Sequence, residues 1–506
     1  MTDFFKKHTL ITGTLLLTMT GFLTRFLGFF YRIFLSRTIG AEGLGIYNMV
    51  HPIFGICFAL CAGSIQTAVS RFVAANTEKG KAVFRTGLAI SLTIAVALAF
   101  LICQFSLPIA KYILMEERCA PLLPFMAVSV PFSAIHSCIN GYYYGIQKTK
   151  VPAFSQVIEQ VIRMGAVFLI ADIYIEAGRE ITVQLAVTGH LIGEIAACLY
   201  TILAFGLFSP NGRGPKAASF FKDFSVAAAP LMTLALPLMG NRLVLNILAS
   251  AEAIFIPSSL NAFGMTNSEA FSIYGVLTGM ALPFILFPST ITNSMSVLLL
   301  PTVAEAQASG NEKRIAGTIS MSLRYSLYMG ILCIGLFTLF GNNLGSSVFH
   351  DPNAGSFIQT LAWLCPFLYL ATTMGSILNG LGKTSTTFVQ NVTALLLRLA
   401  FVLFGIPKFG ILAYLVGILS SELLLALLHL HSLKKQVSFS WDVWNMIIKP
   451  TCLLLVSIGI YYAAEALIPG NVERNSFLFT AMDILLVSFC YGGLLLLFHK
   501  GRSKHP

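Results

Sequence analysis

Charge is scarce in this sequence. Only 10% of its 506 residues are Asp, Glu, Lys or Arg, against 56% that are apolar, a balance that cannot clothe a water-facing surface and excludes an ordinary soluble globular protein. The motifs of chain-borne chemistry are also missing. There is no G-x-x-x-x-G-K-[ST] loop, no H-E-x-x-H and no G-x-S-x-G, so ATP hydrolysis, zinc proteolysis and serine hydrolysis each lack their constellation. No C-x-x-C pair occurs among the ten cysteines, which leaves zinc without a site and makes these thiols small packing residues, as with Cys57 and Cys61 on one helix face. No A-x-A cleavage site follows Lys6 and Lys7, so the first apolar stretch is read as a retained helix and not a signal peptide. Neither an enzyme nor a resident cofactor is expected.

What the sequence has in abundance is apolar runs. They recur from residue 8 to residue 498, each long enough to cross roughly 30 Å of hydrocarbon as a helix, where a β-barrel would show short alternating segments. An all-α polytopic membrane protein follows, with about fourteen spanning helices near 8–34, 44–74, 84–107, 120–145, 151–171, 183–208, 225–249, 271–301, 318–341, 355–380, 386–406, 410–432, 447–467 and 476–498. Alternate loops differ sharply in Lys and Arg. The loops at 79–85, 148–150 and 213–222 are basic, as are both ends of the chain, while the opposite set holds only Arg37, Lys111, Arg118, Arg179, Lys408 and Arg474. Basic loops stay on the cytoplasmic side, so both termini are expected inside the cell membrane. The net charge of +11 is spread over these short loops, which suits anionic lipid headgroups as partners and not nucleic acid.

An internal repeat organises the helices. Pro131-Phe132 through Gly145-x-x-Lys148-Thr149 to Arg163 returns as Pro366-Phe367 through Gly380-x-x-Lys383-Thr384 to Arg398, at a constant offset of 235, since 366 − 131 = 235. Gly45-Ile46-Tyr47 likewise faces Ser272-Ile273-Tyr274. Two pseudo-symmetric six-helix lobes of one orientation are implied, 1–208 and 225–432, joined by a cytoplasmic linker at 209–224 and followed at 433–506 by two additional helices and a basic tail. Such a chain can enclose its own cavity and is expected to act as a monomer. Pro52, Pro131, Pro230, Pro237, Pro283, Pro288 and Pro366 fall within the helices, as hinges for rocking or as static bends.

Arginine within the spans is the most informative feature. Arg25, Arg32, Arg71, Arg163, Arg242 and Arg398 all fall there, at an insertion cost of about 2.5–3.5 kcal/mol for each central one. A water-filled cavity receiving phosphates would solvate them, because the guanidinium fork binds phosphate oxygens bidentately. Snorkelling to headgroups or pairing with acids is the blander account, above all for Arg71 near a helix end. Glu159 precedes Arg163 by one turn and can neutralise it, whereas Arg398 has Ala394 at the matching position. Of the acids in the spans, Glu194 and Glu159 are the candidates for ion coupling, with structural hydrogen bonding the alternative; Glu422 and Asp483 are the others. His136 and His190 read as packed histidines.

The stretch Thr24-Arg25-Phe26-Leu27-Gly28-Phe29-Phe30-Tyr31-Arg32, followed by Leu35-Ser36-Arg37-x-x-Gly40-x-Glu42-Gly43-x-Gly45-x-Tyr47, resembles the stage V sporulation protein B family. This is a polysaccharide-flippase branch of the multidrug/oligosaccharidyl-lipid/polysaccharide exporter superfamily. Ala62-Gly63-Ser64-Ile65-Gln66-Thr67-Ala68-Val69-Ser70 and Leu300-Pro301-Thr302-Val303-Ala304 also look like family motifs. The resemblance implies a flippase that moves an undecaprenyl-pyrophosphate-linked glycan, lipid II or a polysaccharide repeat unit, outward by alternating access. It also implies that Arg25 and Arg32 line the cavity. Related lipid II flippases carry further arginines centrally in the second and eighth helices, where the stretches from Phe54 to Cys57 and from Tyr274 to Leu277 have none. With no phosphate-binding loop, the membrane potential or a gradient of Na+ or H+ is the expected energy source. A multidrug or cation antiporter of the same fold, and a membrane assembly protein without transport, are the competing readings.

Overall fold

The computed structural model describes residues 2–75, 77–208, 217–439, 441–466 and 477–500. Helix is the only regular structure among them. Twelve described segments are long and apolar enough to cross a membrane, which makes the chain a polytopic membrane protein. One of the twelve, Leu15–Ala75, runs through two legs, and Lys150–Glu176, with its internal Glu159 and Arg163, is a further helix of 27 residues. With these the layout follows the expected order of helices.

The chain divides into two compact units, Met1–Asn261 with Thr266–Gly275, and Ala262–Met265 with Val276–Pro506. In the first, α1 (Thr2–Phe58) bends at Gly40, whose φ of 72° and ψ of 179° interrupt the helix. That backbone is open to glycine and strained for a side chain, so the glycine-rich run from Gly40 to Gly45 makes a turn between two spans. The second leg passes through a π-turn at Ala59–Gly63 into α2 (Ser64–Ala75). A π-turn leaves a carbonyl without its helical donor, and Ser91 of α3 (Thr77–Gln104) donates its hydroxyl to the Cys61 carbonyl. After these come α4 (Leu123–Gly145), α5 (Lys150–Glu176), α6 (Gln184–Phe208), α7 (Ala217–Phe263) and α8 (Asn267–Gly275). The expected linker at 209–224 lies outside the described residues over 209–216. The core joins Ile65, Val69 and Val73 of α2 to Cys138, Ile139 and Tyr143 of α4, and Leu231 and Ala235 of α7 pack into it.

Close approach of α8 to the second leg of α1 depends on two glycines. A Cβ at Gly45 would lie 2.2 Å from the Phe271 carbonyl oxygen, and one at Gly275 would lie 1.8 Å from that of Ala41. Backbone meets backbone there, as small residues permit between membrane helices. The sequence match of Gly45 with Ser272 thus marks two segments that touch in space.

The second unit holds α9 (Ser289–Ala308), α10 (Glu312–Leu344), α11 (Pro352–Leu361), α12 (Cys365–Gly380), α13 (Thr384–Ala400), α14 (Ile411–Gln436), α15 (Lys449–Ala466) and α16 (Phe477–Lys500). Asn311 caps α10 by accepting from the Arg314 amide at 3.0 Å, and Asp351 caps α11 by accepting from the Asn353 amide at 2.8 Å. The core runs through Ile319 and Leu323 of α10, Met374, Ile377 and Leu378 of α12, and Leu433 of α14. Buried Tyr369 donates its hydroxyl to the Ile285 carbonyl at 3.2 Å. The expected helix prolines fall into two kinds. Pro52, Pro131, Pro230 and Pro237 are inside continuous helices, whereas Pro283 and Pro366 open new helical segments and Pro288 caps one. At a helix start the missing N–H costs nothing.

Candidate functional site

The first unit gathers titratable side chains from three helices. On α6, His190 and Glu194 are one turn apart and share a face; on α5, Glu159 and Arg163 do the same. Glycines bring these faces together, since a Cβ at Gly193 would stand 3.0 Å from the Glu159 carbonyl oxygen and one at Gly189 2.1 Å from Val167. From α4, His136 adds its ring, with Nε2 at 2.8 Å from Glu194 Oε2. His190 Nε2 stands 3.9 Å from the other oxygen of the same carboxylate. Glu159 and Arg163 form a direct ion pair.

Glu194 is only 4% exposed, and a carboxylate that deep is tolerated only with partners. Here they are two imidazoles, those of His136 and His190. The ligand atoms of His136, Glu159 and Glu194 all lie within 4.8 Å of one another, near enough for one cation to touch all three. Arg163 already holds the Glu159 carboxylate, so the negative charge open to such a cation is chiefly that of Glu194. An aromatic column leads in from α1, with Tyr47 on His51 at 4.6 Å, His51 on His190 at 5.9 Å and Phe54 on His190 at 4.8 Å. Several buried polar atoms of the cluster lack a hydrogen-bond partner among the described residues: His136 Nδ1, both nitrogens of His190, Arg163 Nε and Tyr31 Oη. Groups of this kind are ordinarily satisfied by water or an ion.

The arginines singled out from the sequence are placed as follows. Arg25 is exposed on α1 and makes no ion pair among the described residues. Arg32, on the same leg, is half-buried, so the two residues seven apart sit in different surroundings. Arg71 is exposed near the end of α2. Arg242 of α7 donates to the Thr67 hydroxyl at 3.1 Å and crowds Gly63, where a Cβ would lie 2.1 Å from its guanidinium. These four belong to the first unit and Arg398 to the second. Arg398, which has no acid one turn before it on its own helix, is met by Glu422 of α14, whose Oε1 stands 3.8 Å from its Nη1. The partner comes from the neighbouring helix, which a search one turn along the same helix does not reach. A signal was nonetheless present: Gly189-x-x-x-x-Glu194 and Gly417-x-x-x-x-Glu422 share one spacing, so the repeat carries a glutamate on the helix after each arginine.

Sequence reasoning also missed a polar knot at the turn end of α1. Arg118 donates to Glu42 and, through Nε at 2.7 Å, to Glu116. Glu116 accepts from Asn267 at 2.7 Å, and Glu42 from Ser268 at 2.7 Å.

The comparisons agree with this architecture. The chain is 28% identical over 443 residues to stage V sporulation protein B of Bacillus subtilis (strain 168), spanning 86% of this chain and 85% of that one. It is 25% identical over 497 residues to the lipid II flippase MurJ of the same organism, across 89% and 87% of the two chains. Among solved structures, a lipid II flippase MurJ in an inward closed conformation matches with a TM-score of 0.74 at 14% identity, covering 96% of this chain and 99% of that one. An inward-facing multidrug resistance MATE family transporter of the MOP superfamily matches at 0.62, also at 14% identity, over 84% and 98%. Beyond these likenesses, residues 10–307 match the polysaccharide biosynthesis protein family, and to that family the chain belongs.

Proposed function

We propose that this protein is a flippase for an anionic lipid-linked glycan, lipid II or a polysaccharide repeat unit, moved from the cytoplasmic to the outer leaflet of the cell membrane with both termini inside. The observation that carries the reading is the near full-length similarity to a named lipid II flippase, 25% over 497 residues, in a chain that keeps arginines within its spans. Arg25, Arg32 and Arg242 are assigned to the pyrophosphate. Arg242 is held by a hydroxyl and Arg25 is exposed, which keeps both forks available to a ligand. Arg163 and Arg398 serve instead to neutralise Glu159 and Glu422, and Arg71 meets headgroups at a helix end.

Transport is driven by an ion gradient or the membrane potential acting through Glu194, with Glu159 as a secondary member. Support comes from the convergence of His136, His190 and Glu194 in the buried interior of the first unit, beside the Glu159–Arg163 pair. The MATE-like fold raises the antiporter reading, but a site for cationic drugs needs an uncompensated acid, and the two acids of this cluster, Glu159 and Glu194, already have basic partners. Purified protein in liposomes, supplied in parallel with a labelled lipid-linked sugar and with a cationic dye, tests the assignment. Protein-dependent translocation of the sugar lipid and not of the dye is expected. Dye transport alone would make the chain an antiporter, and transport of neither would leave an assembly role.

A further inference from the structure

A groove of about 640 Å³ opens between α10 and α16 in the second unit, within the size range of sites that hold small molecules. We propose that it binds an anionic glycerophospholipid of the bilayer, with the phosphate on Arg324 and an acyl chain along the groove.

The lining follows from helix periodicity. Gly317, Ser320, Arg324, Tyr328 and Leu332 fall on one stripe of α10, and Ser488, Tyr491, Gly492, Leu495 and Leu496 on one stripe of α16. Space exists because Gly317 and Gly492 have nothing within 4 Å of where a Cβ would stand. Two of the three tyrosine hydroxyls in the lining are already engaged, with Tyr491 donating to the Tyr328 carbonyl at 3.2 Å and Tyr328 to the Asn445 carbonyl at 3.0 Å, while Tyr325 is the third. They fix the floor and leave Arg324 as the cation facing a ligand. Among the described residues Arg324 makes neither an ion pair nor a hydrogen bond, and its Nε is buried without a partner.

Charge selects the occupant. An apolar groove in a bilayer has no hydrophobic preference for a particular chain, because lipid tails are as apolar as leucine. A guanidinium at membrane depth does have a preference. Arg324 lies about 18 Å along α10 from Glu312, and Cα–Cβ bonds tilt toward a helix N-terminus, so its long side chain is biased back toward the interface at the Gly317 end. Phosphate diester oxygens at that level satisfy the fork bidentately, while the chain below them runs past Met329, Leu332 and Leu495. A zwitterionic lipid offers the same phosphate with a compensating ammonium and is held less well.

The test uses the full chain, purified and exchanged into nanodiscs of phosphatidylcholine with or without phosphatidylglycerol, with the lipid retained after detergent washing measured by mass spectrometry. Wild-type protein is expected to retain phosphatidylglycerol at least tenfold over phosphatidylcholine. Arg324→Ala should abolish that preference, Arg324→Lys should keep part of it, and Gly492→Leu should reduce retention of both lipids by filling the groove. Equal retention of phosphatidylglycerol by wild type and Arg324→Ala, with folding verified by thermal unfolding, overturns the proposal. So does selective, Arg324-dependent retention of a polyprenyl phosphate in place of phosphatidylglycerol, which would assign the groove to the transported lipid. Because the readout is retention and not transport, it stands or falls apart from the flippase reading.

Discussion

Arg118 and Glu42, 76 residues apart in sequence, are joined by a direct ion pair. Arg118 also bonds Glu116, and Asn267 and Ser268 at the start of α8 close the ring on the two carboxylates. The turn at Gly40, the segment before α4 and the start of α8 are thereby tied at one end of the first unit.

The knot makes stability depend on acid. Burial raises the pKa of Glu116, but hydrogen bonds from Arg118 and Asn267 outweigh it and hold the carboxyl below its ordinary range. The unfolded chain then binds more protons than the native one between the depressed native value and the ordinary value of about 4.3. Stability from this group is present above that window and lost as pH falls through it. Thermal unfolding followed from about pH 6 to about pH 3 should show a falling midpoint, with a shallower fall in Glu116→Gln. Parallel profiles for the two proteins would refute the assignment.

For the proposed pyrophosphate site, Arg25→Ala, Arg32→Ala and Arg242→Ala should each weaken binding or transport by about 1.5–3 kcal/mol, the usual worth of a hydrogen bond to a charged group. Lysine should rescue only in part, since a point charge replaces a fork. Translocation is to be scored per folded molecule, with Arg37→Ala as the control. Normal activity in all three alanine variants would remove the cationic site.

How legible was this in the sequence? Helix order, the turn at Gly40 and the Glu159–Arg163 pair could be read directly, because each depends on hydrophobic length, a special φ or an i,i+4 spacing. The polar partnerships between helices could not. His136 meets Glu194 across 58 residues and Arg398 meets Glu422 from another helix, and in both cases helix rotation and close glycine packing decide the contact. The Arg118 knot was equally hidden, since loop residues have no periodicity to follow.

The Arg398–Glu422 pair should behave as a mutually dependent unit. Both side chains are mostly buried, at 17% and 14% exposure, so removing one takes this ion pair from a charge held largely out of water. Single replacements, Arg398→Ala or Glu422→Ala, are expected to destabilise by about 3 kcal/mol or more, and the double variant by much less than their sum. A double-mutant cycle on thermal or denaturant unfolding measures the coupling. Additive losses would show that the two charges do not interact.

The last expectation concerns Glu194 and the energy source. If its carboxylate is where the coupling ion or proton acts, Glu194→Gln removes the charge but keeps the shape and one acceptor for His136. Substrate binding at the arginines should then persist, while net accumulation ceases to respond to an imposed pH or sodium gradient. A merely structural role predicts the opposite: lower folded yield, with the remaining molecules still responsive to the gradient. His136→Gln provides the second handle, because the imidazole at 2.8 Å is the nearest proton acceptor or donor and its loss should shift the pH dependence of transport without abolishing it. The decisive measurement is uptake of a labelled lipid-linked sugar into proteoliposomes under opposed ion gradients. Glu194→Gln protein that still follows the gradient as wild type does would rule out this carboxylate as the coupling site.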